Sequence, residues 1–142
     1  MDPAALLDAA EAARDHAYAP YSRFRVGAAL LCDDGTIQPG CNLENASYGA
    51  TICAERVAVG AAIAAGRRRF RAIAIAGPAG IALSPCGICR QVLSEFSPDG
   101  ALRVVMRTAD GSVRETRLAA LLPDAFGPAD LASAPASAHP PG

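Results

Sequence analysis

Three cysteines at the starts of two predicted helices constrain the fold of this chain more than any other feature. Cys53 opens one helical pattern, and Cys86 and Cys89 open another within the segment SPCGICRQ. A helix N-terminus presents free N–H groups and a partial positive charge, which favour the thiolate form of a cysteine. If the three sulfurs share one ion, the chain must fold so that the two helix starts meet.

The number of cysteines restricts what such an ion would be. The chain contains five cysteines, an odd number, and its first twenty residues do not have the pattern of an export signal. A disulfide framework is therefore not expected, whereas metal binding or catalysis in a reducing, cytoplasmic compartment is. Three thiolates suit Zn²⁺, and three protein ligands leave a fourth position open, as in catalytic zinc sites. We expect one Zn²⁺ per chain.

Two charged residues after Cys53 indicate the chemistry of this site. Bound zinc lowers the pKa of water towards neutrality, and Glu55 is the expected carrier of protons between that water and a substrate. Three thiolates and one Zn²⁺ leave one net negative charge, which opposes ionisation of the water. Arg56 is therefore expected to hydrogen-bond a ligand sulfur and offset this charge. Gln91 and Arg90 are weaker candidates for the same supporting role.

Other uses of the cysteines remain open at this point. A closed structural zinc site could take Cys41 as a fourth ligand, but it would leave Glu55 and Arg56 without a role. A redox-active pair would not need Cys53. Cys32 is expected to be a small residue inside its strand.

Helices and strands alternate along the chain, which predicts an α/β layered domain with a mixed sheet of about five strands. The expected helices cover residues 3–18, 52–66 and 86–96, and the expected strands cover 25–32, 37–43, 70–77, 102–108 and 113–118. Pro39 and Gly40 indicate an edge position or a bulge in the second strand. We expect a catalytic domain over residues 1–128 and, over the Pro-, Ala- and Ser-rich residues 129–142, a disordered tail.

Composition limits the class of partner. Hydrophobic residues make up 51% of the chain, charged residues 19%, and the formal net charge is -1. Such a balance creates no overall field that would attract nucleic acid or an anionic membrane. The arginine-rich segment GRRRFR (66–71) is more typical of a solvated helix end than of a nucleic-acid site. No apolar run approaches the roughly 20 residues that cross a bilayer. We expect neither a nucleic-acid nor a membrane partner.

Five segments together closely resemble the small homotetrameric cytidine deaminases of nucleoside salvage. They are YSRFRVGAAL (21–30), NLENASYG (42–49), CAER (53–56), SPCGICRQ (84–91) and LLPDAFGP (121–128). The P-C-x-x-C segment with a separate glutamate is the known signature of zinc deaminases. The resemblance implies a three-layer α/β/α sandwich that converts cytidine and 2′-deoxycytidine to uridine and 2′-deoxyuridine with release of ammonia. It also implies that zinc is bound by Cys53, Cys86 and Cys89, with Glu55 as proton carrier.

The resemblance implies substrate contacts as well. Phe24 would lie against the pyrimidine, Asn42 and Glu44 would hold the ribose hydroxyls, and the Ala54 backbone N–H would reach the base carbonyl. A flat apolar surface with a few fixed polar groups suits a nucleoside, and a carboxylate at Glu44 would repel a phosphate. Alternatively, Asn42 could be a turn-forming residue between a strand and a helix. An alternative for Phe24 is core packing.

Because sites in this family lie at subunit contacts, some residues would serve the site of a neighbouring subunit in a homotetramer. These are Ala46, Tyr48 and Phe126. For the two aromatic residues, ordinary core or subunit packing is the alternative.

Three rival functions share some of these features. A blasticidin-type deaminase of other aminopyrimidine nucleosides would have the same catalytic segments, although NLEN and LLPDAFGP favour the nucleoside-salvage family. A deaminase that edits RNA or DNA is disfavoured by the charge balance. A zinc-containing binding module without catalysis is the rival from a different class.

Overall fold

Five strands form one mixed sheet in the computed structural model of this protein, which describes residues 1–133. They are β1 (Gly27–Cys32), β2 (Ile37–Cys41), β3 (Phe70–Ala76), β4 (Arg103–Arg107) and β5 (Val113–Arg117). Their order across the sheet is β2-β1-β3-β4-β5. The β3–β4 pair is parallel and the other neighbouring pairs are antiparallel. The predicted mixed sheet is confirmed, as is the edge position of the strand that contains Pro39.

Helices cover both faces of this sheet. They are α1 (Pro3–Arg14), α2 (Ala54–Ala64), α3 (Gly87–Glu95), α4 (Leu118–Leu121) and α5 (Pro128–Ala132). One core cluster joins α1 to one face, with Leu7 packed among residues such as Ala29 and Ala74. A second cluster joins α2 and α3 to the opposite face, where Leu30 and Ile73 are fully buried. Because alternate residues of a strand point to opposite faces, this arrangement is the predicted three-layer α/β/α sandwich.

Helix α1 ends earlier than the sequence predicts. It begins as expected after Asp2, whose carboxylate accepts the Ala4 N–H at 3.3 Å. It stops at Arg14 rather than near residue 18. Beyond it, the Tyr18 N–H donates to the Asn42 carbonyl at 3.0 Å and the Tyr18 carbonyl accepts from the Glu44 N–H at 2.9 Å. These tertiary bonds hold the chain extended beside the segment that follows β2.

The last described segment also differs from expectation. Helix α5 occupies Pro128–Ala132, at the start of the segment that the sequence predicts to be disordered. Proline at its first position and the Gly127 N–H, which donates to the Asp130 carboxylate at 2.8 Å, stabilise this short turn. Residues 134–142 lie outside the described residues, so the domain boundary at residue 128 stays a prediction.

Gly40 allows α2 to lie directly on β2. A Cβ atom at this position would lie 2.5 Å from the carbonyl oxygen of Ala54 and 2.5 Å from the backbone nitrogen of Ala58. Both atoms belong to the backbone of α2, so a rotamer change cannot relieve the contact. The close approach holds the first turn of α2, with its cysteine and glutamate, beside the end of β2.

Substitution of Gly40 tests this packing. We expect Gly40→Ala to lower the free energy of unfolding by about 1–3 kcal/mol, because α2 must move away from the sheet. The measurement is urea unfolding of the zinc-loaded protein. Gly60→Ala is the matched control, since a Cβ there meets no atom within 4 Å and alanine favours a helix by up to about 1 kcal/mol. Equal stability of the Gly40 variant and the wild-type protein would contradict the packing argument.

Candidate metal and active site

The two helix starts meet at one end of the sheet and bring three sulfurs together. Cys53 is the N-cap of α2, and Cys86 is the N-cap of α3, with Cys89 in the first turn of that helix. The Sγ atoms of Cys53 and Cys86 are 3.7 Å apart, and all three sulfurs lie within 4.8 Å of one another. The convergence required by the sequence pattern is therefore present.

The sulfur cluster fits a zinc ion. Tetrahedral coordination with Zn–S bonds of about 2.3 Å places two sulfurs about 3.8 Å apart, close to the 3.7 Å between Cys53 and Cys86. Among residues 1–133, this trio is the one group of three or more potential ligands with mutually close donor atoms. Cys41 and Cys32 do not join it, so the structure does not support the closed four-cysteine site. Three soft donors with an open fourth position suit catalytic zinc.

Glu55 is buried beside the cluster. Glu55 is 4% exposed, and its Oε2 lies 3.6 Å from the Sγ of Cys89. Burial raises the pKa of the Glu55 carboxyl above its ordinary value. Burial and the Glu55 carboxylate likewise raise the pKa of the Cys89 thiol, an effect that a bound metal ion opposes because it deprotonates its thiol ligands. A carboxyl whose pKa is raised holds a proton more readily, which suits it to acid–base catalysis.

Arg56 also contacts the sulfur cluster. Its Nη2 atom donates to the Sγ of Cys53 at 3.5 Å, as the sequence predicts. The Cys53 hydrogen bond raises the pKa of the guanidinium above its ordinary value. Its buried Nε has no hydrogen-bond partner within residues 1–133. A fixed positive charge in this position would offset the excess negative charge of three thiolates and one zinc ion.

We expect Arg56→Gln to lower kcat by about 10–100-fold while the zinc content stays near one ion per chain. The physical reason is that uncompensated thiolate charge weakens the ion as a Lewis acid more than it weakens binding of the ion. The measurement is steady-state kinetics beside metal analysis of the same preparation. Arg68→Gln is the matched control, because Arg68 is exposed. Unchanged turnover in the Arg56 variant would rule out the charge-balancing role.

A cavity of about 320 Å³ opens beside Cys53 and Cys86. The predicted substrate residues that line it are Phe24, Asn42, Glu44 and Ala54, together with Glu55. Its volume lies within the range of small-molecule sites. The cavity thus brings an aromatic ring, polar groups and the buried carboxyl to one place.

The cavity also has walls that sequence reasoning did not identify. Ser22, Thr51, Leu83 and Ser84 line it as well. Ser22 lies within the segment YSRFRVGAAL, and Ser84 begins the segment SPCGICRQ. Their places in these two segments could have indicated that both serines lie at the site. Leu83 follows a loop without a chemical pattern, and nothing in the sequence indicated it.

Asn42 has a structural role in addition to its place in the cavity. Its Oδ1 accepts the Val26 N–H at 2.9 Å, and its Nδ2 donates to the Phe24 carbonyl at 2.8 Å. The amide therefore ties the segment of Phe24 to the end of β2. This is a structural role between distant segments and not the turn-forming role that was the alternative. The nucleoside contact of Asn42 stays a prediction.

The remaining predicted residues do not line this cavity. Tyr48 is 77% exposed and Phe126 is 58% exposed, and Ala46 is also exposed. Gln91 does not contact a ligand sulfur; its Nε2 donates to the Phe126 carbonyl at 2.8 Å and holds the segment after α4 in place.

A model of the family described as "Cytidine and deoxycytidylate deaminase zinc-binding region" matches residues 2–107. A cytidine deaminase of Sporosarcina psychrophila is 47% identical over 134 residues, which cover 94% of this chain and 98% of the relative. A cytidine deaminase of Mycobacterium tuberculosis is 51% identical over 115 residues, 81% of this chain and 82% of the relative.

Solved structures are similar as well. The crystal structure of cytidine deaminase from Burkholderia pseudomallei has a TM-score of 0.83 and 52% sequence identity, and the match covers 89% of this chain and 100% of the other. That of cytidine deaminase from Mycobacterium tuberculosis has a TM-score of 0.79 and 48% identity, with 89% and 98% covered. Sequence and fold therefore point to the same family.

Proposed function

This chain belongs to the family of zinc-binding cytidine and deoxycytidylate deaminases, and on that premise we propose how its residues carry out the reaction. The chain is a zinc-dependent hydrolase that converts cytidine and 2′-deoxycytidine to uridine and 2′-deoxyuridine and releases ammonia. It uses one Zn²⁺ per chain. The observation that carries this assignment is the position of the buried Glu55 carboxyl. It lies 3.6 Å from the Sγ of Cys89, which is one of the three clustered sulfurs.

Proton transfer is the task of Glu55. When bound to Cys53, Cys86 and Cys89, the zinc ion supplies a Lewis acid that lowers the pKa of water. Glu55 takes one proton from the attacking water and delivers it to the ring nitrogen next to C4. It then takes the second proton of that water from the new C4 hydroxyl and delivers it to the leaving amine. Water adds to C4 and ammonia departs, so atoms balance. The raised pKa of the buried carboxyl suits it to hold the proton between these transfers.

Binding and orientation are the task of the cavity walls. Phe24 offers a flat apolar surface to the pyrimidine, and the Ala54 backbone N–H, at the first position of α2, is available to the base carbonyl. Glu44 and Asn42 face the sugar. Glu44 disfavours a phosphate, which supports a nucleoside rather than a nucleotide substrate.

A cytidine assay beside zinc analysis of the same preparation tests this function. We expect one zinc per chain and loss of the ultraviolet band of cytidine as uridine forms. Turnover of a blasticidin-type nucleoside but not of cytidine would favour the first rival function. Turnover of single-stranded polymer alone would favour an editing enzyme. Bound zinc without any deamination would favour a binding module.

Exposed side chains near the site support a homotetramer. Tyr48 and Phe126 are large, exposed and outside the cavity of their own chain, and with Ala46 they are proposed to complete the site of a neighbouring subunit. Aromatic side chains are enriched at protein–protein interfaces, which supports this assignment. Sedimentation analysis of the zinc-loaded protein tests the oligomer; a monomer with full activity would contradict it.

The setting is proposed to be cytoplasmic, in pyrimidine salvage. Among residues 1–133, no helix combines the length and apolarity that a bilayer crossing requires. Free thiols at all five cysteines agree with a reducing compartment. The partner is a small nucleoside, and neither nucleic acid nor membrane is proposed.

A further inference from the structure

One serine hydroxyl connects the two groups that the proposed function assigns to sugar and base. The Ser22 hydroxyl donates to Oε2 of Glu44. The Ser22 Oγ also accepts the backbone N–H of Phe24, at 3.0 Å. Ser22 also lies in the wall of the cavity. The side chain thus links the carboxylate that faces the ribose to the residue that faces the pyrimidine.

Glu44 is held at both of its carboxylate oxygens. Its Oε1 accepts the N–H groups of Tyr21 at 3.0 Å and Ser22 at 3.1 Å, while its Oε2 accepts the Ser22 hydroxyl. These hydrogen bonds hold the pKa of Glu44 below its ordinary value, and the bond from the Ser22 hydroxyl has the largest effect. A carboxylate offers about four acceptor sites. With three of them used by this loop, one remains, and it lies on the oxygen that the Ser22 hydroxyl orients.

The backbone next to Ser22 is strained. Arg23 has a φ of 58°, in the left-handed region that a residue with a Cβ adopts only at a cost. Such a conformation persists where surrounding contacts determine it. Here those contacts are two hydrogen bonds. The Phe24 N–H donates to the Ser22 hydroxyl, and the Phe24 carbonyl accepts from Nδ2 of Asn42 at 2.8 Å. The strained turn places Phe24 in the cavity wall.

We propose that Ser22 is a positioning residue for nucleoside binding, whose hydroxyl orients the Glu44 carboxylate towards the ribose and fixes the backbone at Phe24. This assignment rests on the proposed function. Ser22 acts through Glu44 and does not touch the reacting atoms. Its loss therefore weakens substrate binding and leaves the chemical step and the metal unaffected.

Kinetics of Ser22→Ala test the proposal. We expect KM for cytidine to rise about tenfold, the effect of losing one charge-assisted hydrogen bond, and kcat to stay within about threefold of wild type. Zinc content stays at one ion per chain. Ser22→Thr keeps the hydroxyl and restores KM to within about threefold. Ser112→Ala, in the exposed hairpin between β4 and β5, is the matched control and leaves KM unchanged. An unchanged KM in Ser22→Ala overturns the proposal.

A double-mutant cycle separates positioning from direct contact with substrate. In the Glu44→Gln background, removal of the Ser22 hydroxyl is expected to raise KM by less than about threefold, because the two residues act as one unit. A full tenfold rise in that background means that Ser22 does not act through Glu44, and overturns the proposal.

Failure of the proposed function has a different signature. It is judged without any Ser22 variant, by cytidine turnover of the wild-type protein and by calorimetric binding of cytidine to Glu55→Gln. If wild type is active and Ser22→Ala is unaffected, the Ser22 assignment alone is wrong. If zinc-loaded wild type does not turn over cytidine but Glu55→Gln binds it, Ser22 is judged by binding to Ser22→Ala/Glu55→Gln, which must be about tenfold weaker. If neither turnover nor binding is found, both assignments are wrong.

Discussion

Replacement of Glu55 by glutamine is expected to abolish deamination while zinc stays bound. Glutamine keeps the size of the side chain and can still hydrogen-bond, but it cannot take or give a proton at neutral pH. General acid–base groups contribute about 10²–10⁴-fold each, and Glu55 serves several transfers, so we expect kcat to fall by at least about 10³-fold. The measurement is cytidine turnover, with metal analysis of the same protein.

The position of Glu55 explains why this effect should be local. Glu55 lies in the first turn of α2, and its carboxyl is buried beside Cys89 of α3. The matched control is Glu95→Gln, the same change at an exposed residue at the end of α3, which should leave kcat unchanged. Full activity in Glu55→Gln would disprove the proton-transfer role. Loss of zinc together with activity would mean that the carboxyl serves the metal site rather than the reaction.

Replacement of Cys86 by serine is expected to remove both zinc and activity. Its sulfur is one of three within 4.8 Å, and two remaining thiolates do not hold the ion against a competing chelator. We expect zinc to fall from one ion per chain to near zero, and kcat to fall by at least about 10³-fold, because the Lewis acid is gone. The measurement is metal analysis after gel filtration with chelator, beside the cytidine assay.

Cys41→Ser separates this result from a general effect of losing a thiol. Cys41 ends β2 outside the sulfur cluster, so zinc and activity should both be retained. Cys86 is exposed, and its replacement removes little packing; circular dichroism establishes that the variant is folded. Zinc retained in Cys86→Ser, or lost in Cys41→Ser, would require a different ligand set.

Much of the fold could be predicted because its patterns are local. The apolar runs of β1 and β3, the turn residues between β1 and β2, and the proline at the start of α1 depend only on neighbours in the chain. Spacing alone placed Cys86 and Cys89 on one helical turn, with Glu55 two residues after Cys53. Local sequence was therefore sufficient for the elements and for the type of chemistry.

Contacts between distant segments could not be predicted in this way. Helix α1 stops at Arg14 because the chain beyond it pairs with the segment after β2, and no local signal reports such pairing. The sequence suggested Gln91 as a neighbour of the metal site, but its amide binds the Phe126 carbonyl. Long-range partners depend on how layers pack, which one segment does not encode.

The sequence by itself determined most of the helices and strands, the three-cysteine ligand pattern and the presence of a carboxyl beside that pattern, because these follow from residue spacing and side-chain chemistry. Only the tertiary structure decided that Cys53 meets the other two sulfurs while Cys41 does not. It also decided that Asn42 and Glu44 hold the loop of Phe24 as well as facing the cavity. The physical reason is that packing of α2 and α3 on one face of the sheet sets those distances.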